Sequence, residues 1–228
     1  MKQLALDIGL ASDPSFGNFF AGPNEAAVSQ LHDGSTGASH PSTPTYLWGG
    51  EASGKTHLLK AVSAALRGHG ASSGWMDASM LEPPEFNDSW SAVILDDCHL
   101  YTPARQRAAF NWFVNALATD DGQPRWVVAS GNMPPADLPL REDLRTRLGW
   151  GHVFALQALT DAERRAVLRR EGGSRGLLLG DDVMDFMLTR FSRDLGSLMR
   201  LLDGLDGYAL RTQRAITIPL IKSMLESE

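Results

Sequence analysis

A glycine-rich motif between a strand-like and a helix-like segment is the feature that most restricts the fold of this 228-residue chain. The motif G-x-x-x-x-G-K-[ST] is formed by Gly49, Gly50, Glu51, Ala52, Ser53, Gly54, Lys55 and Thr56. Its glycines let the backbone wrap around phosphate groups, and the N-terminus of the following helix adds partial positive charge. Lys55 is expected to reach the β- and γ-phosphates of a nucleotide, and Thr56 to offer its hydroxyl to Mg²⁺. The alternative is a simple glycine-rich turn with a surface lysine, which the flanking apolar segments disfavour.

Strand-like and helix-like segments alternate on both sides of this motif. The predicted strands are Thr45–Trp48, Gly74–Asp77, Ala92–Leu95, Arg125–Ala129 and His152–Leu156. Predicted helices at Lys55–Arg67 and Ala104–Ala118 lie between them. A shorter helix, Asn24–Leu31, precedes a loop rich in Gly, Ser, Thr and Pro over His32–Thr43. This alternation indicates an α/β fold with a parallel five-stranded sheet and flanking helices.

The pattern becomes all-helical after Leu159. Thr160 and Glu163 have the spacing of a capping box, and the helix that follows is expected to end at Gly172 and Gly173. Further helices are predicted at Asp181–Phe191, Asp194–Leu210 and Ile218–Leu225. We therefore expect a tail over residues 1–11, an α/β nucleotide-binding base over 12–159 and a helical lid over 160–228.

Polar residues follow two of the predicted apolar strands. Asp96 and Asp97 come directly after Val93–Leu95, where a carboxylate beside the phosphate loop can hold Mg²⁺ through water. Asp97 stands where many ATPases with such a motif place a glutamate that orients the attacking water. Aspartate is one methylene shorter, so we expect it to orient the water poorly and intrinsic hydrolysis to be slow. Asn132 follows another strand and fits a polar sensor of the γ-phosphate or a turn residue equally well.

Charge and cysteine content narrow the class of protein. Asp and Glu outnumber Lys and Arg by 27 to 21, and the net charge of −6 weakens the case for a stand-alone DNA binder. The lone Cys98 cannot form an internal disulfide and suits a reducing cytoplasm. The first residues lack a signal-peptide pattern, and no apolar run approaches the roughly 20 residues of a membrane span, so we expect a cytoplasmic protein.

Six segments together resemble the AAA+ region of the DnaA family, and within it the Hda family of DnaA-like regulators. They are Phe16–Asn24, Tyr46–Gly49, Val93–Asp97, Asp143–Gly151, Leu156–Asp161 and Ile216–Pro219. DnaA continues into a helix-turn-helix DNA-binding domain, for which this sequence has no segment, so the resemblance favours the Hda side of the family. It implies a P-loop AAA+ fold with a C-terminal helical lid, bound ADP or ATP with Mg²⁺, and Phe19 close to the adenine.

The resemblance also implies a role for Arg147. It is similar in position to the family's arginine finger, which reaches the γ-phosphate of a neighbouring subunit and stabilises charge in the transition state. Read from the residues alone, a local ion pair of Arg147 with Glu142 or Asp143 is the preferred interpretation. Arg145, two positions earlier, is the residue most easily mistaken for the finger.

The N-terminal tail resembles the short peptide with which Hda binds the sliding clamp. Gln3 can hydrogen-bond at the mouth of a hydrophobic groove, while Leu4, Leu6 and Ile8 anchor as an extended peptide. The alternative is a tail without structure in which the leucines occur by chance.

The lid departs from the family pattern at one position. Gly196 stands where the family carries an arginine that senses phosphate, and Arg193 and Arg200 lie about one helical turn away. This departure leaves the preference for ATP over ADP open. A cluster of arginines at 164, 165, 169 and 170 is most simply a solvated helix face.

The resemblance as a whole implies a negative regulator of replication initiation. Its implied partners are DnaA and the sliding clamp, the β subunit of DNA polymerase III, with DNA contacted only indirectly or weakly and the protein held at the nucleoid by the clamp. It would activate a partner's ATPase and have weak or no ATPase of its own. The alternatives are a self-sufficient ATPase of the helicase-loader type and a DnaA-like adaptor that tethers replication factors. The sequence does not decide whether the chain forms a homo-oligomer.

Overall fold

The computed structural model describes residues 13–37, 40–118, 122, 124–191 and 195–226. They form two compact units, one spanning Pro14–Ala158 and the other beginning at Leu159. The strands are β1 (Thr45–Trp48), β2 (Ser73–Met76), β3 (Ala92–Leu95), β4 (Trp126–Gly131) and β5 (His152–Ala155). The α-helices are α1 (Glu25–Thr36), α2 (Lys55–Gly68), α3 (Pro103–Leu117), α4 (Glu142–Leu148), α5 (Asp161–Ser174), α6 (Asp181–Arg190), α7 (Leu195–Thr212) and α8 (Ile218–Glu226). Short 3₁₀ helices lie at Gly22–Asn24, Cys98–Leu100 and Pro135–Asp137.

The first unit contains the predicted five-stranded parallel sheet, in the order β2-β3-β4-β1-β5. Every residue of β3 and β4 is buried, as expected for strands covered on both faces. Because all strands are parallel, the carboxyl ends of β1, β3 and β4 meet at one edge of the sheet, here called the carboxyl edge. Ligands of open α/β sheets bind at this edge.

Two helical layers cover the sheet. On one face, α1 and α2 pack against alternate strand residues, with Leu47, Ile94 and Val128 in the shared core. On the other face, α3 and α4 pack against the intervening residues, such as Tyr46 and Val93. This alternation follows from the two-residue repeat of a strand. It assigns α2 and α4 to opposite faces.

Helix α1 is longer than predicted. It ends at Thr36 rather than Leu31, so the first part of the predicted loop His32–Thr43 is helical. The hydroxyls of Ser35 and Thr36 each donate a 2.9 Å hydrogen bond to the His32 carbonyl inside the helix. This segment packs so closely on the sheet that the ring of Trp126 leaves no room for a side chain at Gly34. Its tertiary packing therefore overrides its turn-like composition.

Helix α4 was not predicted as an element. Its seven residues are mostly polar, which hides the periodicity on which sequence prediction depends. Leu144 and Leu148, one helical turn apart, are fully buried in the core between α3 and the sheet. This tertiary contact holds so short a helix in place.

The second unit is helical throughout its described residues. The capping box is confirmed, since Glu163 accepts from the Thr160 backbone N–H at 2.7 Å and donates its own N–H to the Thr160 hydroxyl. The prediction that α5 ends at Gly172 and Gly173 is wrong. The helix continues to Ser174, and the left-handed residue that terminates it is Gly176, at φ 73°. Among the described residues, no helix has both the length and the apolar character needed to cross a membrane.

Candidate nucleotide site and a separate arginine

The motif loop follows β1 at the carboxyl edge and depends on two of its glycines. A Cβ at Gly49 would lie 2.4 Å from the carbonyl oxygen of Leu156, closer than any side chain allows. Gly54 has a φ of 93°, and a Cβ there would lie 2.5 Å from the ring of Phe19. Ala52 also has a left-handed φ, of 58°. This tight winding is the backbone conformation that directs successive N–H groups toward a bound anion.

Lys55 begins α2 with its ammonium group held inside the loop. Its Nζ donates 2.9 Å hydrogen bonds to the carbonyls of Gly49 and Gly50, and the residue is only 8% exposed. Burial lowers the pKa of Lys55, whereas the nearby carboxylates, first of all Asp97 and then Asp96, raise it. The cation is therefore positioned where phosphate oxygens would approach the loop.

Thr56 and Asp96 meet at the carboxyl edge. The Thr56 hydroxyl donates to Asp96 Oδ2 at 2.8 Å, and the hydroxyl of Ser130 donates to Asp96 Oδ1 at 2.6 Å. Burial raises the pKa of the Asp96 carboxyl, although both hydrogen bonds lower it. A hydroxyl and a carboxylate that converge in this way are the oxygen ligands that Mg²⁺ uses in nucleotide sites, so these residues fit the ion.

Ser130 was missed by sequence reasoning, which selected Asn132 as the polar group after this strand. Asn132 follows the end of β4 and is exposed, whereas Ser130 is fully buried in the strand itself. Besides binding Asp96, the Ser130 hydroxyl accepts a 2.9 Å hydrogen bond from the backbone N–H of Asp97. A hydroxyl in an otherwise apolar strand (Trp-Val-Val-Ala-Ser-Gly) was the signal that could have found it.

Asp97 has a left-handed backbone, with φ 49° and ψ 48°, immediately after β3. This conformation is uncommon for a residue with a side chain and is often found at functional sites. The side chain is 38% exposed, and Nδ1 of His99 lies 3.9 Å from Asp97 Oδ1.

Phe19 lies against the motif loop through a segment fixed to α2. Its ring centroid is 5.3 Å from that of His57, and Nε2 of His57 lies 3.0 Å from the carbonyl oxygen of Ser15. Burial lowers the pKa of His57. The segment Ser15–Phe19 is thereby attached next to Gly54, at the beginning of the phosphate-loop helix.

Arg147 lies elsewhere in the first unit, on the face of the sheet opposite α2. Its guanidinium carbon is 4.9 Å from the ring centroid of Trp150, 5.2 Å from that of Phe110 and 5.8 Å from that of Phe113. The alternative of a local ion pair is not observed among the described residues. Asp143 instead pairs with Arg141 at 2.7 Å.

The arginines of the second unit contrast with Arg147. Each side chain of the predicted basic cluster pairs with a carboxylate. The pairs are Arg164–Asp161, Arg165–Asp185, Arg169–Asp181 and Arg170–Glu171. Arg169 and Arg170 are exposed, so their pairs contribute little to stability. Arg164 is only 8% exposed, so it departs from the expected solvated face.

Topology separates Arg147 from the phosphate loop. Helix α4 leads from the end of β4 back to the start of β5, where the His152 N–H donates to the carbonyl of Pro44, just before β1. Arg147 near the end of α4 therefore lies toward the amino edge of the sheet. The phosphate loop follows the other end of β1, whose four residues span roughly 13 Å.

Arg147 and Trp150 face an open groove of about 660 Å³. The groove is lined by Arg141, Glu142, Asp143, Thr146, Arg147 and Trp150. This lining comes from the N-cap residue Arg141, from α4 and from the turn after it. The groove is thus separate from the carboxyl edge of the sheet.

The remaining predicted residues give less structural information. Gln3, Leu4, Leu6 and Ile8 of the predicted clamp-binding tail lie outside the described residues, as does Arg193. Gly196 lies exposed in the first turn of α7. Arg200 donates to the hydroxyl of Ser197 at 2.9 Å.

Comparison with known proteins decides the family. The family profile described as Hda, lid domain, matches residues 161–225. A protein of Haemophilus influenzae described as uncharacterized is 32% identical to this chain. The alignment has 234 positions and covers 98% of each chain. The chain belongs to the Hda-like, DnaA-related AAA+ proteins. Membership places it among DnaA-related replication regulators.

Solved structures support the fold of this Hda-like chain. Domain III of DnaA from Thermotoga maritima matches with a TM-score of 0.70 and 18% identity, covering 95% of this chain and 97% of that one. AMPPCP-bound DnaA from Aquifex aeolicus matches with a TM-score of 0.66 and 19% identity, covering 89% and 69%. The RuvB Holliday junction branch migration motor of T. maritima matches with a TM-score of 0.65 and 13% identity, covering 95% and 72%. The predicted P-loop AAA+ fold is confirmed.

Proposed function

We propose that this protein is a nucleotide-bound negative regulator of replication initiation that stimulates hydrolysis of ATP bound to DnaA. Arg147 would enter the active site of DnaA as a trans-acting arginine finger, while the sliding clamp holds the protein near loaded DNA. The observation that carries this proposal is the state of Arg147: its guanidinium contacts three aromatic rings and pairs with no carboxylate among the described residues. Such a side chain keeps its charge and its N–H donors available to a partner's phosphate.

The location of Arg147 favours action in trans. A finger must reach within hydrogen-bond distance of the transferred phosphate. The protein's own phosphate loop lies at the carboxyl edge, whereas Arg147 lies toward the amino edge, on the sheet face opposite α2. A nucleotide bound by Lys55 is therefore out of reach of Arg147 in the same chain. A nucleotide presented by another subunit could approach the open groove.

The protein's own site supports a structural role for its nucleotide. Lys55 and the loop would hold the phosphates of ADP or ATP, and Thr56 with Asp96 would hold Mg²⁺, which offsets phosphate charge. Asp97 has a short side chain and a left-handed backbone after β3, an arrangement that we expect to position attacking water poorly. With Gly196 at the expected position of the lid arginine, ADP is the nucleotide that we propose.

Clamp binding rests on the sequence alone. The pattern of Gln3, Leu4, Leu6 and Ile8 suits an extended peptide with three apolar anchors in a groove. The clamp would concentrate the protein where DnaA must be inactivated, because tethering turns the second association into an almost intramolecular one.

The test is single-turnover hydrolysis of ATP prebound to DnaA, with the clamp loaded on DNA. We expect Arg147→Ala to lose most of the stimulation, by about 10³-fold or more if the finger contributes as in other systems. Arg145→Ala, two residues earlier on α4, is the matched control and should retain it. Stimulation by Arg147→Ala equal to that of the wild type would show that the finger is elsewhere or absent.

Two further measurements separate the alternatives. Deletion of residues 1–9 should abolish clamp pull-down and leave nucleotide binding intact. If clamp binding is retained, the N-terminal tail is not the clamp-binding segment. A self-sufficient ATPase predicts substantial turnover by the isolated protein that depends on both Lys55 and Arg147. We expect little turnover in that assay.

A further inference from the structure

We propose that Trp150 is a positioning residue that holds the Arg147 guanidinium in the orientation used for trans activation. This inference rests on the function proposed above and assigns a separate role to a neighbouring side chain. Trp150 lies three residues after Arg147, in the turn that leads from α4 to β5.

The rings around Arg147 lie on two sides of its guanidinium, with two toward the core and one toward solvent. Phe113 is fully buried and Phe110 half-buried in α3, so both rings belong to the wall of the core. Trp150 is 57% exposed, yet its ring makes the shortest of the three contacts, at 4.9 Å. The guanidinium therefore lies between a fixed wall and one exposed ring.

The backbone of Trp150 is fixed on both sides. Its N–H donates to the Arg147 carbonyl at 3.2 Å, which closes the last turn of α4. On the other side, Gly151 packs so closely on Pro44 that a Cβ would lie 1.9 Å from the Pro44 carbonyl oxygen. The ring is consequently attached to a rigid point of the sheet edge, although its side chain is exposed.

An arginine finger is better held by stacking on aromatic rings than by an ion pair with a carboxylate. A guanidinium that lies on aromatic rings is held through its flat face, and the N–H groups around its edge remain unused. Arg141, the N-cap residue of α4, combines both arrangements, because its guanidinium carbon lies 5.5 Å from the Phe110 ring centroid while one of its N–H groups binds Asp143. An arginine held in that way would have to break the pair before it could bind a phosphate.

Loss of Trp150 should therefore affect the rate more than the affinity. Without the outer ring, Arg147 would sample more rotamers, and ordering it in the transition state would reduce the rate. From the size of cation–π interactions at exposed sites we expect Trp150→Ala to lower the maximal stimulated hydrolysis rate by about 2- to 5-fold. Trp150→Phe keeps a ring and should stay within about twofold of the wild type.

The first arm of the test uses the free full-length protein. Protons on the Arg147 side chain lie over aromatic rings, so their NMR signals should be displaced upfield and can be assigned by their loss in Arg147→Ala. In Trp150→Ala these signals should move toward ordinary arginine positions, and in Trp150→Phe they should move less. Identical Arg147 signals in the wild type and Trp150→Ala would overturn the proposal.

The second arm measures DnaA-bound ATP hydrolysis as a function of regulator concentration. A lower maximal rate for Trp150→Ala, with an unchanged half-saturating concentration and rescue by Trp150→Phe, supports positioning. An unchanged maximal rate overturns it, as does a change in the half-saturating concentration alone, which would make Trp150 a docking contact. Leu81→Ala removes a 98% exposed apolar side chain from the same unit and controls for loss of surface area.

The two arms distinguish this proposal from the function on which it rests. If Arg147→Ala stimulates hydrolysis as well as the wild type, the finger assignment fails. The NMR arm then still decides whether Trp150 holds Arg147. If Arg147→Ala is inactive while Trp150→Ala is fully active, only the positioning role is lost.

Discussion

The hydroxyl of Ser130 donates a 2.6 Å hydrogen bond to Asp96, joining β4 to the carboxyl end of β3. The same hydroxyl accepts from the Asp97 N–H, so one side chain fixes both residues that follow β3. The bond is fully buried, and Asp96 is only 4% exposed. Ser130 therefore orients the carboxylate that we expect to serve Mg²⁺.

Replacement of this serine should destabilise the protein. Ser130→Ala leaves the Asp97 N–H and a buried carboxylate oxygen each with one partner fewer, which costs about 1–3 kcal/mol in the free energy of unfolding. Urea denaturation measures this loss. The matched control is Ser72→Ala, which removes an exposed hydroxyl that donates to Ser89 and should change stability little. Equal stabilities for the two variants would contradict the role of Ser130.

The sequence predicted the fold because apolar runs and their spacing are strong signals. β1 and β3 were predicted with their observed bounds, and the helix over Lys55–Arg67 was one residue short. α4 escaped prediction, since its two buried leucines become meaningful only when the sheet and α3 are present. The same holds for the extra turn of α1, which depends on contact with Trp126, far away in the sequence.

The site was predicted only as far as local motifs reach. The phosphate loop and Asp96 follow directly from a strand–loop–helix pattern and a strand end. Ser130 was missed because its importance depends on the pairing of β3 with β4, which a sequence without structure does not give. The rings around Arg147 come from α3 and the turn after α4, and no spacing rule connects them.

Lys55 provides a direct test of the phosphate site. Lys55→Ala removes the buried ammonium group, and we expect the affinity for Mg²⁺-bound ADP or ATP to fall by about tenfold or more, the value of a charge-assisted hydrogen bond. Isothermal titration calorimetry measures the change. Lys60→Ala, on the exposed face of the same helix, is the control. Undiminished binding in Lys55→Ala would refute the phosphate site.

The ionised carboxylate of Asp96 is expected to favour binding of nucleotide with Mg²⁺ but to lower the free energy of unfolding. Its pKa is raised by burial, so in the pH range above its ordinary value the folded protein retains a proton that the unfolded chain has released. Stability then falls as the pH rises through this range. Asp96→Asn removes the charge, and its amide can still accept from Ser130 and donate to Thr56.

We therefore expect Asp96→Asn to unfold at a higher urea concentration than the wild type at pH 7, with a smaller difference near pH 4. Its affinity for nucleotide in the presence of Mg²⁺ should fall, because one oxygen ligand is lost. The exposed Asp88→Asn is the control for loss of a surface charge. A variant that is less stable at pH 7 would show that the hydrogen bonds of the carboxylate outweigh its burial.

His57 should make stability depend on pH in the opposite direction. Burial lowers its pKa, so below its ordinary value near 6.5 the unfolded chain takes up a proton before the folded protein does. The free energy of unfolding should then decrease as the pH falls below 6.5, and recover as it rises. The cost arises from burial of the charged ring, because the hydrogen bond of Nε2 to the Ser15 carbonyl by itself favours the protonated form.

His57→Gln can keep a hydrogen bond to the Ser15 carbonyl but cannot gain a proton. Chemical denaturation at several pH values between 5.5 and 7.5, roughly one unit either side of the histidine pKa, should show a shallower pH dependence for this variant than for the wild type. His69→Gln changes an exposed histidine just past the end of the same helix and should keep the wild-type slope. If His57→Gln and the wild type have the same slope, burial of His57 does not set the pH dependence of stability in this range.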